Sequence, residues 1–536
     1  MSGFLPDLRA RTITALRDNS VDVLILGGGI NGAGVLRDLC LRRASAGLSL
    51  SIALAEQNHF ASATSGKTSQ LIHGGLRYLK YLKFALVKES LRERAVLRRI
   101  APHLVEPIAF LLPIYSRLDK MKFLLGLTLY DQLAGDQNIS KHREVSKTEL
   151  RQLEPNLDTT EVVGGALFYD CTVHAARFVL ENLFDAAAHG GYLANYLRAT
   201  PVERQPDGSW LVEYHDRLAD EKFQGYARKI INATGAWSQP GDRKPRLVRG
   251  SHLIFPRLTS EDHAIAYFDE NGRIVFLIPW GSERQLTLVG TTDVDHNGDP
   301  DHARISEDEI RYLVKIVQKL YPNAPSHAPV AAYSALRPLV DNEAHNPTDA
   351  SREHKIWNTP DGILHILGGK YTTYRQMSEE ACNLYFKETS TFLSIPCKTA
   401  SEPLNGNSDK ALARLRSEAA ALAQRHLLAK VEVDRLIRDY GVHTRDLLAF
   451  LPSEDYGPIS RVLCARMDYA VQHEMALRLS DFLYVSTHLG FERTWDAQSL
   501  EVYAQRMGSL LNWNSARQAR EIMQALEVSR CPGTAP

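Results

Sequence analysis

The chain has 536 residues, of which 44% are hydrophobic and 24% charged, and its formal net charge is zero. This composition predicts a globular protein of two or three domains, and the zero net charge argues against a nucleic-acid partner held by bulk electrostatics. The six cysteines are scattered without a Cys-x-x-Cys pair, which argues against a disulfide framework or a metal site built on cysteine and favours a reducing compartment.

The first predicted element is a strand over residues 21–26, and a helical pattern covers residues 31–43. Between them stands the motif Gly27-x-Gly29-x-x-Gly32. The first glycine allows a tight turn, the second a close approach of backbone to phosphate, and the third close packing of the helix on the strand. The segment therefore predicts a turn that holds a dinucleotide pyrophosphate, with an ordinary βαβ turn as the alternative.

Three further features indicate which dinucleotide is bound. A second strand over residues 48–55 runs into Glu56, where a carboxylate can bond a ribose 2′-hydroxyl, so the pattern favours FAD or NAD over NADP. Two more glycine clusters follow predicted strands, at residues 231–237 and 368–375. Three such turns, hundreds of residues apart, favour an extended cofactor held by a discontinuous domain, as FAD is in many flavoproteins.

A long helical pattern covers residues 76–103, and its basic residues alternate with apolar ones. The basic stretch 77–104 is therefore a candidate for contact with anionic lipid, and the alternative is a helix with one core face and one solvated face. Strands are predicted within residues 190–235 and 246–295. A helix over residues 306–320 begins with the capping-box pattern of Ser306 and Glu309.

The segment Asp293-x-Asp295-x-Asn297-Gly298 is similar to the start of a calcium-binding loop. Its twelfth position is Arg304, where such a loop requires a bidentate Glu, so we expect no metal there.

The predicted fold class is α/β with three parts. A Rossmann-like FAD-binding domain of the glutathione-reductase/glycine-oxidase type is expected over residues 19–85, 165–245 and 335–395. An interleaved antiparallel-sheet domain that caps the substrate is expected over residues 86–164 and 246–334. A break rich in Pro, Gly, Asn and Ser at residues 396–407 precedes an all-α C-terminal domain, residues 400–536.

Several residues outside the glycine turns could bind a ligand. In the segment TSQLIHGGLRY, Arg77 can bind phosphate or carboxylate through two hydrogen bonds and Tyr78 can donate its hydroxyl. Arg337 and Lys370 stand beside chain breaks that would place them over a sheet edge, whereas Arg352 lies in a loop. For each single cation the alternative is a solvated surface position. A cluster of such cations requires an anion, because like charges 4 Å apart repel by about 4 kcal/mol at an effective dielectric near 20.

Taken together, these motifs resemble the FAD-dependent glycerol-3-phosphate dehydrogenases of aerobic bacterial respiration, over about residues 20–530. The segments that carry the resemblance are GGGINGAG (27–34), ATSGKTSQLIHGGLRYL (63–79), NATGAW (232–237), GSHLIFP (250–256), RIVFLIPW (273–280), GTTDV (290–294), YSALRPL (333–339), GGKYTTYR (368–375) and ARMDYAVQHEMALRLSDFL (465–483).

The resemblance implies oxidation of sn-glycerol 3-phosphate at C2 to dihydroxyacetone phosphate, with hydride transfer to FAD and electrons passed to membrane quinone. It implies substrate contacts from Arg77, Tyr78, Arg337, Arg352 and Lys370. The expected catalytic residues are His73, His252, Arg337 and Lys370, with the two histidines as alternative bases for the hydroxyl proton. No motif for covalent flavin attachment is present, so we expect FAD to bind non-covalently.

The residues that the resemblance and the glycine turns assign to FAD are Gly27, Gly29, Ile30, Asn31, Gly32, Glu56, Thr64, Ser65, Ser69, Leu71, Ile72, His73, Ala233, Thr234, Gly235, Trp237, Gly368, Gly369, Lys370 and Thr372. The helix that starts near Thr372 is expected to direct its N-terminus to the pyrimidine edge of the flavin, where its dipole would stabilise the reduced, anionic form.

No stretch approaches the roughly 20 apolar residues of a spanning helix. The N-terminus also lacks the apolar core of a signal peptide. We therefore expect peripheral binding to the lipid surface on the cytoplasmic side of the bacterial inner membrane, or a cytoplasmic protein, with a homodimer left open. The chain departs from the family pattern at three places. Gln70 stands where the family often has Lys, and His174 replaces a usual acidic residue. Tyr484-Val485-Ser486 replaces a common Arg-Arg pair, so a membrane or oligomer contact served by that pair is not expected here.

Three alternatives stay open at this point. A glycerol-3-phosphate oxidase would deliver electrons to oxygen, and another glycine-oxidase-like flavoprotein would act on an amine or a hydroxy acid. A flavin-binding protein without turnover is the third, although zero net charge argues against a nucleic-acid scaffold.

Overall fold

The computed structural model describes residues 7–239, 244–340, 353–389 and 395–531. The strands are β1 Ser20–Leu26, β2 Ile52–Ala55, β3 Leu71–Ile72, β4 Val105–Ile114, β5 Arg143–Val145, β6 Gly164–Val173, β7 Tyr192–Ala194, β8 Leu197–Arg204, β9 Trp210–Asp216, β10 Glu221–Asn232, β11 Arg246–Pro256, β12 Ala264–Phe268, β13 Ile274–Trp280, β14 Leu286–Gly290, β15 Val294–Asp295, β16 Ala331–Leu339, β17 His354–Asn358 and β18 Leu364–Gly368.

The helices are α1 Leu8–Asp18, α2 Ile30–Ala46, α3 Phe84–Ile100, α4 Arg117–Ala134, α5 Lys147–Leu153, α6 Ala175–Ala188, α7 Glu307–Leu320, α8 Tyr374–Glu388, α9 Asp409–His426, α10 Lys430–Tyr440, α11 Thr444–Leu448, α12 Arg461–His473, α13 Leu479–Asp481, α14 Ala497–Leu511 and α15 Ser515–Val528.

The first sheet has the strand order β17-β18-β10-β1-β2-β7, and β8 and β9 extend it from β10. The strands β18, β10, β1, β2 and β7 pair in parallel. Their register places Leu26 opposite both Asn232 and Ala55, and Asn232 opposite His365. Because the carboxyl ends of parallel strands meet at one edge, the three glycine turns that follow β1, β10 and β18 lie side by side, although more than 100 residues separate one turn from the next.

The second sheet has the order β15-β11-β14-β13-β12-β4-β6-β3, with β16 beside β11 and β5 beside β6. Its pairings are antiparallel except that of β12 with β4. The mixed α/β architecture with a helical C-terminal part agrees with the predicted fold class. The β6 and β16 strands belong to this second sheet, although most of their residues fall within the segments expected for the cofactor domain. The domain boundaries therefore stay a prediction.

The continuous helix expected over residues 76–103 is wrong. Residues 76–81 form a 3₁₀ turn, Leu82 adopts a left-handed conformation with φ of 55°, and α3 begins only at Phe84. The turn lets Tyr78 and Leu79 pack in the same small apolar cluster as Leu91 of α3. Packing of both segments into one cluster thus overrides the helical pattern.

The core of the second sheet continues into the C-terminal helices. Met467 of α12, Leu500 of α14 and Ile522 of α15 share one buried cluster with Phe110 of β4 and Ile278 of β13. The predicted capping box of α7 is present, with Ser306 accepting from the Glu309 amide. No helix among the described residues is long and apolar enough to cross a membrane.

Candidate active site

A cavity of about 1030 Å³ lies between the carboxyl edge of the first sheet and one face of the second sheet. All the residues assigned to FAD from the sequence line this cavity except Gly32 and Ile72. Tyr78, His252 and Arg337 line it as well. Arg352 and the side chain of Arg77 lie outside the described residues. The cavity is at the upper end of the range for small-molecule sites, which suits a large cofactor with a substrate beside it.

The backbone of the first glycine turn packs closely against neighbouring backbone atoms. Gly27 has a φ of +103°, which L side chains rarely adopt, and a Cβ there would lie 2.7 Å from the Ala233 carbonyl oxygen. A Cβ on Gly32 would lie 1.9 Å from the carbonyl oxygen of Gly27. Gly32 is therefore required for packing of α2 against the turn, which explains why it is absent from the cavity wall. The arrangement fits a bound pyrophosphate at the N-terminus of α2.

Glu56 stands at the end of β2, as the sequence predicts, but its carboxylate already accepts two backbone hydrogen bonds. Oε2 accepts from the Gly28 amide at 2.6 Å and Oε1 from the Asn58 amide at 2.8 Å. Burial raises the pKa of this carboxyl, and the two amides oppose that effect. Glu56 thus fixes the turn itself.

The segment from His59 to Ser69 connects the two sheets along the cavity. Ser65 Oγ accepts from the Ile30 amide at 2.9 Å, at the start of α2. Thr64 Oγ1 donates to the Leu336 carbonyl at 2.7 Å, next to Arg337 on β16. The segment therefore fixes the position of the pyrophosphate turn relative to the second sheet.

Sequence reasoning missed Lys67, which lies on this segment and lines the cavity. Burial, and then the charge of Arg304, lower the pKa of its ammonium to about 8. A half-buried cation in this cavity was not apparent from the sequence, because Lys67 stands in a loop where a solvated position is the ordinary expectation.

His252 of β11 is buried and its Nε2 lies 2.8 Å from Ser69 Oγ. Its ring packs on Tyr333, with 4.9 Å between ring centroids. Burial, reinforced by the charge of Arg337, lowers the pKa of His252 to about 3. The imidazole is therefore neutral at physiological pH.

His73 follows β3 and is half-buried in the cavity wall. Its backbone amide donates to Thr372 Oγ1 at 3.2 Å, which joins the segment after β3 to the start of α8. Its ring meets Phe276 of β13 edge to face, with centroids 6.3 Å apart. Through these two contacts, His73 joins the third glycine turn to the second sheet at the cavity wall.

Arg337 lies near the end of β16, and its side chain contacts Asp293. Its Nη1 lies 2.9 Å from Asp293 Oδ1, and Nη2 donates to Thr291 Oγ1 at 2.9 Å. The Asp293 side chain is only 3% exposed, whereas that of Arg337 is 26% exposed. Asp293, in the segment where we expect no metal, thus orients a cation that lines the cavity.

Lys370 stands at the start of the short 3₁₀ turn that precedes α8. Its Nζ donates to Ser90 Oγ at 2.9 Å and lies 4.1 Å from the centre of the Tyr78 ring. The structure therefore brings Tyr78 and Lys370 together, although 292 positions separate them in the sequence. Together with Arg337 they give the cavity two cations and a phenol, a set that suits an oxyanion.

A buried ion pair supports the Gly74–Gly75 turn. Arg94 of α3 lies 2.5 Å from Asp170 of β6, and Tyr130 Oη donates to the same carboxylate at 2.8 Å. Tyr130 Oη also accepts from the Gly74 amide at 2.8 Å. Arg94, which belongs to the basic stretch 77–104 that was a candidate for lipid contact, is fully buried.

Comparisons with known proteins agree with this geometry. Residues 22–375 match the family model described as FAD dependent oxidoreductase, and residues 397–518 match the C-terminal domain of alpha-glycerophosphate oxidase. The aerobic glycerol-3-phosphate dehydrogenase of Escherichia coli strain K12 is 33% identical over 501 residues, which cover 89% of this chain and 96% of that one. A glycerol-3-phosphate dehydrogenase of Pseudomonas aeruginosa is 34% identical over 502 residues, covering 90% and 94%.

Solved structures show the same fold. The glycerol-3-phosphate dehydrogenase of Bacillus halodurans, complexed with FAD, superposes with a TM-score of 0.80 at 23% identity, covering 99% of this chain and 100% of the other. The L-alpha-glycerophosphate oxidase of Mycoplasma pneumoniae, also with FAD bound, gives a TM-score of 0.53 at 20% identity and covers 68% of this chain and 94% of its own.

Proposed function

The chain belongs to the FAD-dependent glycerol-3-phosphate dehydrogenase family, and from this membership we propose that it oxidises sn-glycerol 3-phosphate at C2 to dihydroxyacetone phosphate and passes the electrons to a membrane quinone. FAD, when bound, supplies the acceptor for the hydride. The three glycine turns and residues 64–69 would hold it, because they line one cavity around the N-terminus of α2.

The observation that carries the proposal is the pair of cations in the cavity wall. Arg337 is oriented by the buried Asp293, and Lys370 by Ser90 and Tyr78. A phosphate dianion can accept hydrogen bonds from a guanidinium, an ammonium and a phenol at once. An amino-acid substrate offers a single carboxylate charge, so this set favours a phosphate ester over the substrates of a glycine-oxidase-like enzyme.

Oxidation of a carbinol also requires a base for the hydroxyl proton. His252 has a pKa of about 3 and bonds Ser69, which makes it a weak base at physiological pH. His73 lines the same cavity without the deep burial of His252. We therefore assign proton removal to His73, and to His252 the role of holding Ser69 in place in the cavity wall.

Membrane docking is supported by a surface outside the cavity. Leu118, Met121 and Leu125 of α4 are 60%, 69% and 72% exposed, at the three- and four-residue spacing of one helix face. Leu82, before α3, is 71% exposed, and α3 and α4 pack against each other. We call these four residues the α4 patch. Exposed basic residues flank the patch, namely Lys83, Lys88, Arg117 and Lys122, so it suits the interface of an anionic bilayer.

The α4 patch also narrows the part of the basic stretch 77–104 that is expected to contact lipid to its exposed residues Leu82, Lys83 and Lys88. Val87, Leu91 and Arg94 of that stretch are buried. The segment Tyr484-Val485-Ser486, in place of the Arg-Arg pair, is buried too. Docking is therefore proposed through α4 and the turn before α3.

One anaerobic experiment tests the function. The purified holoenzyme should lose its yellow colour on addition of glycerol 3-phosphate, and should keep it with glycine or glycerol 2-phosphate. Reoxidation is then followed with a quinone and with oxygen. Bleaching by glycine but not by glycerol 3-phosphate would refute the substrate. Rapid peroxide formation, with no response to quinone, would instead support the oxidase alternative.

A further inference from the structure

The guanidinium of Arg337 lies directly over a glycine of the neighbouring strand. Arg337 of β16 pairs with Val248 of β11, and Gly250 lies two residues farther along β11, on the same face of the second sheet. A Cβ on Gly250 would lie 2.3 Å from Nη1, 2.3 Å from Nη2 and 2.5 Å from Cζ of Arg337. Because these distances are nearly equal, the plane of the guanidinium covers Gly250, and a side chain at position 250 would displace it.

A short loop between β14 and β15, residues 291–293, holds the edge of the same guanidinium. Nη1 donates to the Thr292 carbonyl at 3.2 Å and to Asp293 Oδ1 at 2.9 Å. Nη2 donates to Thr291 Oγ1 at 2.9 Å. Acceptors on two nitrogens fix both the position and the rotation of a planar, fork-shaped group. The position of Arg337 therefore depends on the position of this loop.

Thr292 connects the loop to the other side of the sheet. Its hydroxyl donates to Glu309 Oε1 at 2.6 Å and accepts from the Ser251 amide at 2.9 Å. Its carbonyl accepts from Arg337, which lines the cavity. Thr292 is buried, so water does not compete for these bonds. A single residue thus joins Glu309 to the cation in the cavity wall.

Glu309 belongs to α7, which packs on the face of the second sheet opposite the cavity. Leu313 and Val317 of this helix share a buried cluster with Leu253 of β11. Leu253 follows His252, which lines the cavity, and successive side chains of a strand point to opposite faces. The contact between Glu309 and Thr292 therefore links a helix behind the sheet to the substrate side.

The Glu309 carboxylate accepts more hydrogen bonds than a capping box requires. Oε2 accepts from the Ser306 amide, as a capping box does, and also from Arg249 Nε, both at 2.9 Å. Oε1 accepts from the hydroxyls of Thr292 and, at 2.8 Å, Ser251. Although burial acts to raise it, these hydrogen bonds hold the pKa of Glu309 below its ordinary value. The ionised carboxylate thus ties α7, β11 and the loop together.

We propose that Gly250 and Glu309 are positioning residues of the substrate site, which together fix the guanidinium of Arg337 where it meets the phosphate group. Gly250 leaves room for the guanidinium, and Glu309 holds, through Thr292, the loop that carries its acceptors. The inference rests on the proposed function, because it takes Arg337 as a ligand of a phosphate dianion. It adds that residues acting only through Arg337 set the affinity for that dianion.

Calorimetric titration of the oxidised holoenzyme with inorganic phosphate tests the role of Gly250 without turnover. We expect Gly250→Ala to weaken phosphate binding by about tenfold, because the new Cβ moves the guanidinium away from its acceptors. The Cβ meets only the far end of a flexible side chain, so the variant should keep its fold and its full flavin content. Gly126→Ala, where a Cβ meets nothing within 4 Å, is the control and should bind phosphate within about twofold of the wild type.

The same titration tests the link through Thr292. Thr292→Val removes the hydroxyl and should weaken phosphate binding by about fivefold, whereas Thr292→Ser keeps the hydroxyl and should stay within about twofold. Glu309→Gln should behave like Thr292→Val, because an amide offers one acceptor oxygen in place of two. Glu307→Gln removes the same charge from an exposed position in the same turn of α7 and should bind phosphate as the wild type does.

A double-mutant cycle on kcat/KM for glycerol 3-phosphate separates positioning from a general loss of structure. In the Arg337→Ala background, Gly250→Ala and Thr292→Val should have no further effect, because the group that they displace is absent. A loosened fold would instead lower kcat/KM by the same factor in both backgrounds, and that result would overturn the inference.

Unchanged phosphate binding in Gly250→Ala and Thr292→Val, or no phosphate binding by the wild-type holoenzyme, would overturn it as well. The calorimetric result does not depend on the substrate. If glycerol 3-phosphate fails to bleach the wild-type flavin, the proposed function fails, while the phosphate titration still decides whether Gly250 and Glu309 position Arg337.

Discussion

The two ends of the active-site cavity are built in different ways. At the first sheet the wall consists of backbone, held by Gly27 and Gly32 and by the Glu56 carboxylate on the Gly28 amide. At the second sheet the wall consists of side chains, with Arg337 on Asp293 and His252 on Ser69. The first end depends on local residue type, and the second depends on partners far away in the chain.

This difference between a backbone wall and a side-chain wall predicts which substitutions each end of the cavity tolerates. A backbone site fails when any side chain is added, because there is no space for it. A side-chain site keeps its cofactor when one group is removed, since each group contributes a separate interaction, and loses rate instead. The following predictions test this contrast, from the largest effect to the smallest.

We expect Gly32→Ala to abolish FAD binding, because the new Cβ would lie 1.9 Å from the Gly27 carbonyl oxygen. The flavin content, measured from the visible absorbance of the purified protein, should fall close to zero. Gly126→Ala in α4 is the matched control, because a Cβ there meets nothing within 4 Å. That change should keep full flavin content and add up to about 1 kcal/mol of stability. Normal flavin in Gly32→Ala would show that the turn tolerates repacking.

Arg337→Ala should leave the flavin content unchanged and lower kcat/KM for glycerol 3-phosphate by a hundredfold or more. Loss of one member of a buried charged pair costs about 2–5 kcal/mol. Lys370→Ala should behave alike, since Lys370 also lines the cavity. Steady-state kinetics with a soluble acceptor provides the measurement. Near-normal kcat/KM in both variants would rule out phosphate binding by these two cations.

His252 should make the protein less stable in acid. Its pKa is about 3 in the folded chain against 6.5 when unfolded, so the unfolded state binds the extra proton first. The resulting stability is fully present above pH 6.5 and is lost as the pH falls toward 3. At pH 5 the loss from this residue is about 2 kcal/mol. Urea unfolding at pH 8 and pH 5 should show a smaller difference for His252→Gln than for the wild type.

A matched control for the acid experiment is His302→Gln, because the side chain of His302 is 77% exposed. Its pH dependence of stability should equal that of the wild type. If His252→Gln is as acid-sensitive as the wild type, protonation of His252 does not contribute to acid unfolding.

The smallest effect on stability and activity is expected for changes in the α4 patch, which lies outside the cavity. Met121→Ser with Leu125→Ser should alter stability by less than about 0.5 kcal/mol per residue and leave activity with a soluble acceptor unchanged. Flotation with anionic vesicles should nevertheless be lost. The wild type should stay bound in 1 M salt, because burial of apolar side chains is not screened as charge is. Wild-type protein that never floats would remove the membrane proposal.

The elements that could be predicted were those whose signal is local. The strand before Gly27, the helix after it and the capping box of α7 follow from residue type within a few positions, and all three are present. The helix expected over residues 76–103 failed where a distant apolar cluster outweighed the local pattern. The sequence also did not predict that β6 belongs to the second sheet, since its partner β4 lies 50 residues or more away.

The sequence by itself determined that a dinucleotide turn exists, that FAD is the cofactor its three glycine clusters suit, and which motifs place the chain in its family. Each of these rests on residue types at short spacing, where glycine or a charged residue has few alternatives. Only the tertiary structure decided that Asp293 orients Arg337, that Lys370 lies on Tyr78, and that His103 and His488 share a pocket beside the active-site cavity. The residues of these three pairs are 44 to 385 positions apart, and long-range packing, which no local pattern encodes, brings them together.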